Sequence, residues 1–494
     1  MSSLKKKSFK AFGWDFIGRI GGQGIGFVIS VILARLLTPD DFGLLGMITV
    51  VISLSAIFTD IGLGSALIQR KEVKDEHYGS VFYFNVVVGL FLALLLFFSA
   101  DLIAKFYNRP EIKPLSQVMA LSFIINSFGN VRKLWLHKNI NYKIPTHATL
   151  LGVIIGGSIG ITMAYRGFGV WSLVAQTLIS GIVNNCYLYF ATKWKPKLIF
   201  SFKALKELWS YGFNMFLSIL IDSVASQLDK IIIGKLFTPA TLGHYFRAKT
   251  LDIQISMYTS GPLMSVLFPV LSNVQDDEQR FKNIVNKGFH LLNFVIFFLI
   301  GTFLLCSKDI IVILFSDKWL PSVEYFQILV MGSFIFPLEA LLKNILSSKG
   351  NSKAFLKLQV YNKIPIFIVF CVGFWFGVKG FMIGMILSGY IALFFDMLFA
   401  AKEMNISIKW FYAIFGRYFI VWVLLSFCFH IIDIHFPVNH YFEHLLIYSF
   451  LYSISYLLVC YLFKFEGFEI ATKEVVNSNI YQGIKSRSKF NRNI

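Results

Sequence analysis

A chain of 494 residues with 56% hydrophobic and only 15% charged side chains carries more apolar surface than a soluble core can enclose. Its formal net charge of +19 does not call for nucleic acid, because anionic lipid headgroups on one membrane face balance such an excess. Composition therefore excludes a soluble globular domain and points to an all-α polytopic membrane protein.

Stretches of about 20 mainly apolar residues mark membrane-spanning helices. About fourteen are expected by that criterion, at 11–36, 41–69, 78–104, 114–137, 144–165, 168–192, 208–236, 241–272, 283–307, 321–347, 355–376, 379–401, 410–433 and 442–463. The gaps between them are too short for a separate soluble domain. The first stretch carries charges and lacks a small-residue cleavage site, so it reads as a retained span rather than a removed signal peptide.

Within that first span Asp15, Arg19 and Gln23 recur every fourth residue and form a polar stripe. Gly18, Gly22 and Gly26 form a second stripe about 100° away, suited to close packing on another helix. A charge inside the bilayer costs about 2.5–3.5 kcal/mol on insertion scales, so Arg19 needs a partner or water, and Asp15 is the nearest candidate. The plain alternative is an Asp15–Arg19 ion pair beside the inner interface.

The span ends in a Thr-Pro turn that returns at an offset of about 200 residues. Arg35 aligns with Lys235, Thr38-Pro39 with Thr238-Pro239, and Gly43 with Gly243. The offset equals six spans, an even number, so the halves are expected to be parallel repeats that place a substrate site between them. The expected division is 1–192 for the first lobe, 193–207 for a basic linker, 208–401 for the second lobe, 402–465 for two extra spans, and 466–494 for a basic cytoplasmic tail.

Arg132 and Lys133 close the fourth span, where they either follow the positive-inside rule or receive substrate at the inner mouth. Gly156-Gly-Ser-Ile-Gly in the fifth span fits a G-x-S-x-G hydrolase elbow, but it lies in an apolar helix with Gly152, Gly156 and Gly160 at four-residue spacing, which indicates helix packing instead. In the seventh span Asp222 and Asp229 share a face near Gln227, and carboxylates in the bilayer are candidates for proton or sodium coupling. Lys230 beside Asp229 offers the simpler reading of neutralisation. In the eighth span His244, Arg247, Gln254 and Tyr258 share a face able to bind sugar hydroxyls or phosphate, or else to snorkel at an interface. Lys249 and Asp252 pair on another face. Further on, Glu339 and Lys343 form an i,i+4 pair, and Asp396 stands isolated in the twelfth span.

Five cysteines fall in the spans without paired spacing, which argues against disulfides and metal sites. His430, His435, His440 and His444 match no zinc spacing. Lys and Arg outside the spans lie mostly in segments that an amino-terminus-inside arrangement puts in the cytoplasm, and both termini are expected there. No Walker-type phosphate loop is present, and no cofactor is expected.

Ile32-Leu-Ala-Arg-Leu-Leu-Thr-Pro-Asp-Asp-Phe-Gly-Leu-Leu-Gly, followed by Thr59-Asp-Ile-Gly-Leu-Gly-Ser-Ala-Leu-Ile-Gln-Arg, resembles the polysaccharide transporter family of the multidrug/oligosaccharidyl-lipid/polysaccharide exporter superfamily. The similarity is strongest to flippases of the colanic acid and teichuronic acid type. It implies a non-enzymatic flippase in the bacterial inner membrane that carries undecaprenyl-diphosphate-linked oligosaccharide outward by alternating access. The implied partners are that lipid-linked glycan, membrane lipids, and the glycosyltransferases and polymerase of the same pathway. In this reading Asp15, Arg19, Gln23, Arg247, Gln254 and Tyr258 bind substrate, with Arg19 able to hold diphosphate oxygens bidentately. Asp222 and Asp229 serve ion coupling. A cation-coupled small-molecule exporter of the same fold and a membrane-embedded polymerase or acyltransferase remain as alternatives, together with a noncatalytic scaffold.

Overall fold

The computed structural model describes residues 2–477 except 71, 198 and 334. The side chains of 2–12, Arg19, Asp222, Tyr258 and several neighbours of the last two fall outside that description. In chain order the helices are α1 (Ser2–Leu36), α2 (Pro39–Ala56), α3 (Leu63–Gln69), α4 (Asp75–Tyr107), α5 (Ile112–Met119), α6 (Leu121–Lys138), α7 (Lys143–Tyr165), α8 (Trp171–Ala191), α9 (Phe202–Leu236) and α10 (Pro239–Asn273). They continue as α11 (Glu278–Leu305), α12 (Ser307–Phe315), α13 (Pro321–Ser333), α14 (Ile335–Ser348), α15 (Ser352–Val372), α16 (Gly377–Glu403), α17 (Ile408–His435), α18 (Tyr441–Leu462) and α19 (Glu466–Asn477).

No strand occurs among the described residues, where nine helical stretches are long and apolar enough to cross a membrane. Their outward faces are apolar, as with Phe91, Phe98 and Leu102 on α4 and Phe442 and Phe450 on α18. Such faces suit hydrocarbon, where every backbone group must find its partner inside the helix. The chain is therefore an all-α multi-pass membrane protein. It forms two compact units, Met1–Phe246 and Arg247–Ile494.

In the first unit the repeated Thr-Pro turns cap two helices in the same way. Thr38 Oγ1 accepts from the Asp41 N–H at 3.3 Å while the Thr38 N–H donates to Asp41 Oδ2 at 2.9 Å, a reciprocal capping box. Thr238 Oγ1 accepts from the Thr241 N–H at 3.2 Å. Proline follows at the first helical position, where its missing N–H leaves nothing unsatisfied. The two turns also meet. A β-carbon on Gly43 would overlap the Pro239 carbonyl oxygen, and one on Gly243 would overlap that of Pro39.

The expected span at 41–69 is interrupted. A 3-10 turn at Ile57–Asp60 and Gly62, at φ 69°, separate α2 from α3. The cause is a second close approach, because a side chain on Gly62 would run into the carbonyl of Gly212 on α9. The stretch at 114–137 is likewise divided, at Ala120, into α5 and α6.

The glycine stripes pack as their spacing predicts. Gly18 and Gly22 lie on Thr146 and Thr149 of α7, and Gly152, Gly156 and Gly160 of α7 lie against Ser172, Gln176, Ser180 and Asn184 of α8. The residues between α8 and α9 run along the start of α4, with Trp194 buried against Tyr78 and Phe82. Lys197 pairs with Asp75 at 2.5 Å. Glu207 accepts from Arg70 Nη2 at 2.6 Å and from His77 Nε2 at 3.3 Å. The Lys74 N–H donates to His77 Nδ1, which leaves the proton on Nε2 facing Glu207.

In the second unit α11 is the centre. Tyr456 Oη donates to the Phe294 carbonyl at 2.9 Å and Tyr452 Oη to that of Phe297 at 3.5 Å. Together with His444, Tyr448 and Cys460 these tyrosines form a buried stripe of five residues, one every four positions along α18.

Two outcomes follow from these contacts. Gly43→Ala and Gly243→Ala each lose about 1–3 kcal/mol or more to overpacking against backbone. Gly24→Ala, where a β-carbon meets nothing within 4 Å, is neutral or gains about 1 kcal/mol. Thermal midpoints of the detergent-purified chain separate the two classes. The bonds from His77 and Arg70 hold the Glu207 carboxyl below its ordinary value. A depressed carboxyl stabilises the folded chain above the carboxylate range and ceases to do so as pH falls through it. Glu207→Gln therefore lowers the midpoint at pH 7, and the difference closes below about pH 4.

Candidate functional site

The first unit holds a polar cavity of about 290 Å³ between α6, α7 and α8. Asn126, Asn130, Lys133, Asn184 and Asn185 line it with Thr149 and Ser180. Asn185 is fixed by donating to the Ile125 and Gly181 carbonyls, both at 2.9 Å, and Gly129 leaves room for its amide. Asn184 Nδ2 donates to Thr149 Oγ1 at 3.4 Å. Thr149 also meets Gly22, so the glycine face of α1 and the amide cavity lie on opposite sides of one α7 residue.

Neutral amides and hydroxyls beside one ammonium form a donor and acceptor set suited to sugar hydroxyls carrying an anionic group. Arg132, next to Lys133, is not among the residues lining this cavity. Its guanidinium is buried over Tyr189 at 4.8 Å and Phe82 at 5.7 Å and donates to the Phe128 carbonyl.

Near the start of α7 Thr146 Oγ1 donates to the Trp14 carbonyl at 2.9 Å. Trp14 packs edge-on against His147, and Lys143 lies 5.6 Å over the Trp14 ring. Asp15 and Gln23 are half-buried on the same helix as Trp14, whereas the side chain of Arg19 lies outside the described residues.

On α9 and α10 Asp229 Oδ2 accepts from Tyr245 Oη at 2.6 Å, and Lys230 Nζ donates to Gln227 Oε1 at 2.9 Å. Asp222 and Tyr258, by their side chains, are outside the description, and Gln254 is half-buried.

Arg247 opens the second unit with its guanidinium enclosed, 5.2 Å over Phe315 and 5.4 Å over Trp319. Lys249 pairs with Asp252 at 3.3 Å, as their spacing indicated. Lys343 binds Glu339 at 2.6 Å and also lies 3.7 Å from Asp396, which Asn362 Nδ2 reaches at 2.9 Å. Asp396 is fully buried, and the isolation it has in the sequence ends in this four-residue cluster.

A further grouping joins two residues to a histidine set aside as a zinc ligand. His444 holds Asp309 Oδ2 through Nδ1 at 2.6 Å and Asp433 Oδ1 through Nε2 at 3.1 Å. Burial pushes the Asp309 carboxyl up from its ordinary value, against the pull of His444.

Of the amide cavity the sequence reading singled out only Lys133, because the other lining residues are neutral and spread over three helices. It missed the Asp396 cluster because Asn362 and Lys343 come from different spans. The one available signal was the cost of a lone carboxylate in an apolar stretch, which demands a partner.

The Asp396 cluster gives a stability test. Lys343→Met leaves two carboxylates without their shared ammonium and costs about 3–5 kcal/mol, the range for breaking a buried pair. Adding Asp396→Asn restores part of that loss, as denaturation of the purified single and double variants would record.

Residues 32–324 match the family described as polysaccharide biosynthesis protein. The chain is 28% identical over 268 residues to the succinoglycan biosynthesis transport protein ExoT of Rhizobium meliloti (strain 1021), covering 54% of this chain and 54% of that protein. It thus spans about half the length of that relative. It is 23% identical over 376 residues to the lipopolysaccharide biosynthesis protein WzxC of Escherichia coli (strain K12), covering 74% of this chain and 76% of that one. With the teichuronic acid biosynthesis protein TuaB of Bacillus subtilis (strain 168) it shares 24% over 362 residues, 71% and 73% of the two chains. Among solved structures, the lipid II flippase MurJ in an inward closed conformation gives a TM-score of 0.69 at 16% identity, covering 90% of this chain and 98% of that one. An inward-facing multidrug resistance MATE family transporter of the MOP superfamily gives 0.59 at 17% identity, covering 80% and 98%. At these identities the likeness is one of fold.

Proposed function

The chain belongs to the polysaccharide biosynthesis protein family, polysaccharide transporters of the multidrug/oligosaccharidyl-lipid/polysaccharide exporter superfamily, and on that premise we propose that it is a flippase for lipid-linked oligosaccharide. It moves undecaprenyl-diphosphate-linked units from the inner to the outer leaflet of the bacterial cytoplasmic membrane by alternating access, supplying surface polysaccharide assembly. The observation that carries this reading is the family match over 32–324, with relatives named for polysaccharide transport and biosynthesis. Family and fold are those of transporters rather than enzymes.

The architecture that serves it has fourteen spans, as two parallel six-helix repeats at 1–192 and 208–401 joined by the 193–207 linker. Two further spans lie within 402–465, and a basic tail at 466–494 follows. Both termini face the cytoplasm. The matching Thr caps at Thr38 and Thr238 support the repeat, and the distribution of Lys and Arg supports the orientation.

Substrate contact is assigned to Asp15, Arg19 and Gln23 on the first span and to Arg247, Gln254 and Tyr258 on the eighth, with Arg19 on the diphosphate. The amide cavity with Lys133 adds a second polar surface suited to a glycan. Asp222 and Asp229 carry ion coupling, and the Glu339–Lys343–Asp396 cluster is a further set of intramembrane charges suited to it. Glycosyltransferases and a polymerase of one pathway make and use the cargo.

In a strain dependent on this protein, Arg19→Ala at normal protein level cuts surface polysaccharide by about tenfold or more, the loss expected for one charge-assisted contact of roughly 1.5–3 kcal/mol. Arg19→Lys restores part of it. Normal export from the Ala variant removes Arg19 from the mechanism.

A further inference from the structure

Two adjoining cavities lie between α11, α17, α18 and α19. The first, of about 410 Å³, is of mixed character, with Lys282, Asn286, His290, Arg417 and Glu466 set beside Met404, Ile406, Trp410 and Ile414. The second, of about 650 Å³, shares His290, Arg417 and Glu466, adds Lys464, and continues along apolar residues of α17 and α18.

Arg417, Val421 and Leu424 follow one another at helical spacing on α17, so the guanidinium stands at the head of an apolar stripe. Val459 of α18 and Phe463, its C-cap, also line the cavity, and Lys464 follows in a left-handed conformation at φ 51°. The two cavities share His290, Arg417 and Glu466, so the charged residues and the apolar stripe adjoin along one furrow.

The charges are unevenly engaged. Glu466 already accepts from Asn286 Nδ2 at 3.0 Å and faces His290 Nε2 at 3.4 Å. Lys282 faces Glu278 at 3.5 Å. Arg417 and Lys464, by contrast, make no ion pair among the described residues, although both are exposed at the furrow.

We propose that this furrow is a binding site for an anionic glycerophospholipid of the inner leaflet. Its phosphodiester is held by Arg417 and Lys464, and one acyl chain lies along Val421, Leu424, Val459 and Phe463. Arg417 offers the forked donors that match phosphate oxygens, and Lys464 adds a point charge. Charge complementarity favours this occupant over a diphosphate carrier. Two free cations and one carboxylate leave a single net positive charge, which matches the one negative charge of a phosphodiester. The inner-leaflet assignment uses the membrane orientation proposed above, but lipid binding itself does not depend on flippase activity.

The test uses the purified full chain in detergent and reads retained lipid by native mass spectrometry after mixing with equal amounts of phosphatidylglycerol and phosphatidylcholine. The wild-type chain retains phosphatidylglycerol preferentially, and the double variant Arg417→Gln with Lys464→Gln reduces that retention about tenfold, with phosphatidylcholine unchanged. Glu466→Gln keeps a hydrogen-bonding side chain while removing the opposing charge, and it raises phosphatidylglycerol retention. A damaged fold would not produce that opposite sign. Equal retention of the two lipids by the wild-type chain, or an unchanged preference in the double variant, overturns the proposal. So does displacement of phosphatidylglycerol by equimolar undecaprenyl diphosphate, which would assign the furrow to the carrier instead.

Discussion

The first unit depends on a reciprocal close approach, Gly43 against the Pro239 carbonyl and Gly243 against the Pro39 carbonyl. Each glycine lies four residues beyond its own proline, within the first turns of a helix whose start is fixed by a threonine cap. Proline sets the backbone entering the helix and threonine binds the exposed N–H, so each carbonyl stands where the other strand of the contact needs a residue without a side chain. The sequence repeat is thus more than a trace of similar spans. Its Thr, Pro and Gly positions are the parts of one symmetric joint. Gly46 against Leu242 and Gly62 against Gly212 extend the same economy of side-chain volume along α2, α3, α9 and the start of α10.

The polar chemistry among the helices differs between the units. In the first, amides and hydroxyls on α6, α7 and α8 enclose a cavity whose single ammonium is Lys133. The second holds charged clusters: Glu339, Lys343 and Asp396 with Asn362, and Asp309 and Asp433 on either side of His444. A neutral amide inside a membrane is far less costly than an ion and can exchange partners with a hydroxyl-rich cargo, whereas an ion must be neutralised wherever it stands. The proposed transport function uses both properties, one for holding a glycan and the other for responding to charge.

Much of the fold was legible because membrane helices announce themselves by length and apolarity. The glycine faces on α1 and α7 were legible too, since four-residue spacing places small residues on one side wherever the helix goes. The Lys249–Asp252 and Glu339–Lys343 pairs were readable for the same reason, being local to one helix. The interruption at Gly62 was not, because it answers to Gly212, which lies far away in sequence. Nor was the partnership of Asp396 with Asn362, or of His444 with Asp309. Those contacts are set by which helices become neighbours, and periodicity within a helix carries no record of that. Arg247 shows the limit most clearly: a wheel gives its face, but only tertiary packing sets it over Phe315 and Trp319.

The proposed flippase moves a lipid-linked glycan diphosphate across a bilayer without other proteins. The direct measurement reconstitutes the purified protein in liposomes containing a fluorescent undecaprenyl-diphosphate oligosaccharide on both leaflets and follows cleavage by an enzyme confined to the outside. The account predicts that protein-containing vesicles expose nearly all of the labelled lipid while protein-free vesicles stop at about half, with the glycan intact until the outside enzyme acts. Protection of half the label in vesicles that hold folded protein and any required ion gradient would contradict it.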